Sequence, residues 1–176
     1  LERILTINTD NNTVFHTPGI KGLLDDHIHL IDALVSAYEV TGKRPYLEKA
    51  DLFMVQTIEL FWDNDEGGFF DTSEEVLGTR LKGIDDTPHP SANSLAIMLL
   101  IKLAFIRDKQ EYRALAEKAL KLFSSWGQEA GVHGGYYFSA LDAFYNGLEL
   151  TLNTSPGTEL AERALSTFRP YTAFAY

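Results

Sequence analysis

This 176-residue chain predicts an all-α fold: helical hairpins in an array, with short β pieces in the loops and a βα tail. Three observations carry that expectation. Apolar residues recur at helical spacing in four windows between Ile28 and Trp126. Glycines break the windows where helix ends are due. Phe61-Trp62 followed by Gly67-Gly68-Phe69-Phe70 is loosely echoed by Ser125-Trp126 followed by Gly134-Gly135-Tyr136-Tyr137, so the unit is a hairpin plus a glycine-aromatic loop. Helix pairs that each hide one face stack into solenoids or close into toroids. The chain holds only about two and a half such units, so a ring would be incomplete and its open side apolar. Association with another copy, as a homo-oligomer, or with the rest of a parent chain follows.

In order along the chain, a polar lead from Thr6 to Thr13 enters a loop marked by Pro18, Gly19 and Gly22. Ile28, Ile31, Leu34, Val35 and Tyr38 predict a first helix from about Asp25 to Thr41, with acids in its first turn and Gly42 at its end. Pro45 suits the first turn of a second helix whose stripe is Leu47, Ala50, Met54, Ile58 and Phe61. Gly67 to Phe70 reads as a short extended piece, and a long loop runs to Pro90. The third helix, Ser91 to Ile106, is apolar nearly all round from Leu95 to Ile101 and should be buried on several sides. Asp108 and Glu111 suggest a capping box for a fourth helix carrying Tyr112, Leu115, Ala119, Leu122 and Trp126. After a loop from Gly131 to Gly135 comes a short helix around Ser139 to Asn146. Leu148, Leu150 and Leu152 alternate as in a strand, and Ser155-Pro156 open a helix to about Phe168. The expectation is one domain over 1–176, with hairpins at 25–61 and 91–126 and a βα tail at 148–176. The start at Leu1 and the end at Tyr176 read as the edges of an excerpt.

Composition removes several classes. Fifteen Lys plus Arg against twenty-five Asp plus Glu give −10, which repels phosphate backbones and anionic lipid, so neither nucleic acid nor a membrane is an expected partner. The longest apolar run, Leu95 to Ile101, is far below the ~18 residues that span a bilayer. With no cysteine there is no disulfide, thiolate metal site or thiol nucleophile, which leaves the compartment open; the cytoplasm is the working expectation. A serine-hydrolase elbow, a P-loop, a dinucleotide fingerprint and a zinc-peptidase helix are absent from the sequence. No cofactor is expected.

Two stretches concentrate polar chemistry. Asp25 and Asp26 lie four and three residues before His29 on the first helix and share its face. They either cap the helix or orient an imidazole for acid-base work on a sugar hydroxyl. Adjacent aspartates diverge by about 100°, so a second carboxylate for glycoside chemistry has to come from another loop. No metal site is expected, because Asp25 and His29 lack a third ligand at diagnostic spacing. The second stretch, Arg80 to Ser94, contributes Arg80, Lys82, Asp86, Ser91 and Asn93, which either brace the loop and cap a helix or hydrogen-bond a polyol. Trp62, Phe69, Phe70, Tyr136 and Tyr137 either complete the core or form a stacking platform for sugar rings. His133, in the second glycine loop, has nothing adjacent to activate it.

The order Gly22-Leu23-Leu24-Asp25-Asp26, Phe61-Trp62-Asp63 with Gly67-Gly68-Phe69-Phe70, Arg80-Leu81-Lys82, then Asp86 through Pro90-Ser91-Ala92-Asn93-Ser94, resembles the thioredoxin-domain-containing proteins related to the spermatogenesis-associated group. The resemblance runs from about Gly19 to Leu103. It implies a fragment of a six-hairpin α/α toroid, similar to those of sugar 2-epimerases and some glycosidases, that follows a thioredoxin-like domain in the parent chain. Thr87-Pro88 and Ala92 depart from the family's Gly-Ala and Ser-Gly-Asn-Ser, which stiffens the loop. Two functions follow as expectations. One is a sugar- or polyol-binding or processing toroid, epimerase-like or glycosidase-like, with Asp25, Asp26, His29 and Asp86 as the catalytic candidates. Trp62, Phe69, Phe70, Arg80, Lys82, Ser91 and Asn93 would then bind the substrate. The other is a non-catalytic helical scaffold that docks a redox domain or a protein partner.

Overall fold

The computed structural model describes residues 1–10, 12–167 and 171–176, and it is mainly helical. The lead is more ordered than its polar composition suggests. It forms α1 (Glu2–Ile7) and an antiparallel meander of β1 (Thr9–Asp10), β2 (Thr13–Thr17) and β3 (Ile20–Lys21). Buried Val14 pins the meander to the helices, and its carbonyl accepts from the Gly22 amide at 2.8 Å.

The first hairpin pairs α2 (Leu24–Thr41) with α3 (Arg44–Phe61). The Asp26 carboxylate accepts from the Leu23 amide at 2.9 Å, closing the first turn of α2. Gly42 ends α2 in the left-handed conformation at φ 64°, and a Cβ there would lie 2.3 Å from Pro156 Cγ, so only glycine fits both demands. The second hairpin pairs α4 (Ala92–Arg107) with α5 (Gln110–Leu122). Leu95, Ile97, Leu99, Leu100 and Leu103 of α4 are buried on several sides, because α2, α5 and a further helix, α7 (Gly135–Asn146), all pack on it. Ser91 caps α4, accepting from the Ser94 amide at 3.2 Å. Ser91→Ala is expected to cost ~1 kcal/mol in urea unfolding, and an unchanged midpoint would contradict that role.

Three local expectations need correction. Asp108 does not open a capping box: at φ 53° it closes α4, and Lys109 is the residue before α5. Lys109 is committed elsewhere, since its ammonium lies 2.7 Å from Asp51 Oδ1, which also accepts from the Tyr112 hydroxyl at 2.7 Å. Trp126 does not continue the fourth helix. The chain bends at Phe123 into α6 (Ser124–Ala130), which sets Gly127 against the Tyr137 ring, where a Cβ would come within 2.6 Å. The region from Gly131 is helical almost throughout, a 3-10 turn (Gly131–Gly134) leading straight into α7. The signal that starts α7 so early is distant: Asp86 Oδ2 accepts from the Tyr136 amide at 2.7 Å.

The tail is a parallel β-α-β unit, with β4 (Leu148–Thr151), α8 (Glu159–Ser166) and β5 (Thr172–Ala175). Thr158, rather than Ser155, caps α8, and the expected end at Phe168 lies outside the described residues. The unit docks on the C-terminal half of α2, where Glu39 accepts from the Phe174 amide and Tyr38 from the Tyr176 amide.

These contacts sort the loops by end. The N-terminal ends of α2, α4 and α7 share one rim with the glycine loops that follow α3 and α6, because Asn93 holds Phe69, Asp86 holds Tyr136, and the Asp86 amide donates to the His133 carbonyl. Gly42, Asp108 and Gly147 end the same three helices away from it.

Candidate functional site

The rim brings together residues far apart in sequence. Asp25 and His29, one turn apart on α2, approach to 3.4 Å between Oδ1 and Nε2. The loop that caps α4 crosses above them and places His89 Nδ1 4.0 Å from the same carboxylate oxygen. The two imidazoles meet edge to face with centroids 5.4 Å apart. Among the described residues, Asp25, His29 and His89 are the group whose ligand atoms could hold a metal ion. Solvent reaches all three, with side-chain exposures of 45%, 43% and 53%. Asp26 points the other way, bonding the Leu23 amide and His16 Nδ1 at 3.0 Å, so it serves the meander as well as the helix. A cavity of about 290 Å³ beside Asp25, Asp26 and His29 is walled by Ile4, Phe15 and Leu30. Another, of about 380 Å³, includes Lys102, Arg113 and Glu149 and is lined by none of the candidate catalytic or substrate-binding residues.

Asp86, at the same rim as Asp26, has both carboxylate oxygens engaged: Oδ1 by the Ser91 amide at 2.9 Å and Oδ2 by the Tyr136 amide. It joins the starts of α4 and α7. Asn93 is fully buried and clamps backbone, accepting from the Phe69 amide at 2.8 Å and donating to the Phe69 and Gly83 carbonyls at 2.9 and 3.1 Å. Ser91 is occupied with Ser94. Lys82 reaches Asp63 at 2.7 Å and the Gly67 carbonyl at 3.1 Å, and its ammonium holds the Asp63 carboxyl below the usual range. Arg80 stacks on Phe70 at 4.1 Å and donates to the Thr72 and Leu60 carbonyls. Phe69 and Trp62 are buried against each other in a T-shaped pair, and Tyr137 is buried as well. The arrangement therefore leaves Asp25, His29 and His89 open to solvent, while the other polar residues of the loop that carries His89 are spent on the fold.

Two further groups belong to this region. Asp32 sits one turn below His29 and extends the Asp25-His29 stripe of α2 at helical spacing. Burial raises its carboxyl above the ordinary value, with Lys102 and His29 pulling partly back, and it makes no hydrogen bond or ion pair among the described residues. The i, i+4, i+7 order of Asp25, His29 and Asp32 was available in the sequence as a polar stripe on an otherwise apolar helix. His27, on the opposite side of α2, is buried against Phe61 and bonds Thr57 at 3.1 Å. Burial lowers it to about 4, against a smaller opposing pull from Asp26, so it is neutral near pH 7.

No family model matches the chain. It is similar to spermatogenesis-associated protein 20 of Rattus norvegicus, 37% identical over 111 residues, which is 61% of this chain and 14% of that protein. The Homo sapiens protein of the same name is 35% identical over 95 residues, 52% of this chain and 12% of the relative. An uncharacterized protein of Caenorhabditis elegans is 31% identical over 103 residues, 58% of this chain and 14% of the relative. The matched stretch thus spans about a seventh or less of each of these curated relatives.

Proposed function

We propose that the chain supplies one wall of a sugar- or polyol-binding site in an α/α toroid of a larger, thioredoxin-domain-containing protein. The similarity to much longer relatives supports a role within a larger whole. The observation that carries the chemistry is the open Asp25-His29-His89 trio above the half-buried Asp32, on a rim built from three helix starts. Asp25 orients His29, and a neutral imidazole so held accepts a proton from a hydroxyl or an acidic carbon. Asp32, whose carboxyl burial holds above the ordinary value, supplies the second carboxyl that Asp26, turned towards His16, does not. Epimerase-like proton abstraction and glycosidase-like hydrolysis are the two reaction classes this set could serve. Phe69 and Trp62 shape the rim from within the core rather than by stacking on a ring.

Calorimetric titration with a panel of monosaccharides and polyols tests this reading. Binding should appear for some member and fall at least tenfold in His29→Ala, with the melting temperature held. A panel with no binder, or one bound equally by His29→Ala, would remove it. One observation favours a scaffold that docks a redox domain or protein partner instead: Asp86, Ser91 and Asn93 spend their polar atoms on the fold. In that case Leu52, Val55 and Leu60, exposed on α3, are the apolar surface for the rest of the parent chain or a second copy.

A further inference from the structure

Zinc bound tetrahedrally by imidazole nitrogen and carboxylate oxygen at about 2.0 to 2.2 Å holds its ligand atoms about 3.3 to 3.5 Å apart. Asp25 Oδ1 and His29 Nε2 already stand 3.4 Å apart. His89 Nδ1 lies 4.0 Å from the same oxygen, and the three ligand atoms all fall within 4.8 Å of one another. We infer that Asp25, His29 and His89 form a binding site for a divalent transition-metal ion of the zinc class, with a coordination position open to the rim. Two imidazoles and one carboxylate select such an ion over calcium or magnesium, which favour all-oxygen sets.

The local design fits a cation in three further ways. The i, i+4 pair on α2 fixes two ligands on a rigid element, so only the exposed His89 ring has to close by roughly 1 Å to reach tetrahedral spacing. His89 Nδ1 now lies 3.1 Å from the Pro90 carbonyl, and coordination exchanges that hydrogen bond for the metal bond. The positive end of α2 opposes a cation, and Asp25 and Asp26 in its first turn, with Asp71 beside Asp25, offset it with negative charge. The site stands independently of the sugar reading, because it rests on ligand geometry alone. A bound ion takes the His29 lone pair, so in the loaded protein His29 is a ligand and not a base.

The test uses the chain as it stands. Co²⁺ titration followed by visible absorption, with ZnCl₂ calorimetry beside it, should give one ion per chain. His89→Ala, on the exposed loop, and Asp25→Asn should each weaken binding tenfold or more. His133→Ala, at a loop histidine outside the trio, should leave it unchanged. Far-UV circular dichroism and metal-free melting confirm that each variant is folded, and His89→Ala decides the matter if Asp25→Asn is not. Absence of stoichiometric binding, or equal affinity in His89→Ala, overturns the inference. Repeating the sugar titration in EDTA separates the two: sugar binding that persists without metal keeps the ligand reading whatever the metal result.

Discussion

Asn93→Ala is expected to destabilise the chain by about 3 kcal/mol, read as a shift in the urea unfolding midpoint. Its amide satisfies three backbone groups at once, the Phe69 amide, the Phe69 carbonyl and the Gly83 carbonyl, and the residue is fully buried. Truncation leaves all three without that partner, and each buried orphan costs on the order of 1 kcal/mol or more. Asn93→Asp should be at least as harmful, since it keeps the acceptor but loses both donors and sets a charge against two carbonyls. The effect should also reach the rim. The Gly83 carbonyl ties down the start of the segment that carries His89, so loosening it lets His89 drift from Asp25. A loss below ~1 kcal/mol in Asn93→Ala would mean that the clamp is not what sets the loop.

Acid should weaken the fold through His27. Its folded value of about 4 lies below the ~6.5 of an unfolded chain, so between those values the unfolded state binds the extra proton. Stability is full above about pH 6.5 and declines as pH falls to about 4, by about 3 kcal/mol in all. Burial keeps the ring neutral, and the hydrogen bond to Thr57 sets its tautomer. Thr57 donates its hydroxyl to the Phe53 carbonyl at 2.7 Å, which leaves its oxygen to accept from His27 Nδ1. Other groups act differently. Asp51 and Asp63 have lowered values, so their contribution is lost only below the ordinary carboxylate range. Asp32 and Asp71 are raised, and their protonation favours the fold over the lower part of the window. His27→Asn retains a donor for Thr57 without the titration, and its unfolding free energy should vary less between pH 7 and 4. Parallel pH profiles for the two proteins would contradict this account.

Much of the helical architecture was legible because it is local. The stripe from Ile28 to Tyr38, the glycine at 42 and the proline at 45 predict α2 and α3 to within a residue or so. What escaped the sequence depends on partners far away. Asp86 starts α7 from another loop, Asp51 of α3 gathers Lys109 and Tyr112 at the start of α5, and the second strand of the tail forms by pairing with Leu148 to Thr151. The site divides in the same manner. Asp25 and His29 could be paired from their spacing, and Asp32 could have been added to that stripe, but nothing local connects His89 to them. The polar loop residues Asp86, Ser91 and Asn93 were ambiguous because capping and ligand binding ask for the same side chains at helix starts. Only their hydrogen bonds show where those atoms are spent.

The claim on which the rest turns is that the starts of α2 and α4 face one another closely enough to put Asp25, His29 and His89 in one cluster. Side-chain ¹⁵N NMR of the histidines in Asp25→Asn tests it most directly. The account predicts that the imidazole resonances of both His29 and His89 move while those of His133 stay in place. Movement of His29 alone would contradict it, since His29 lies one turn from Asp25 in any helix and His89 comes near only if the loop crosses the rim as described.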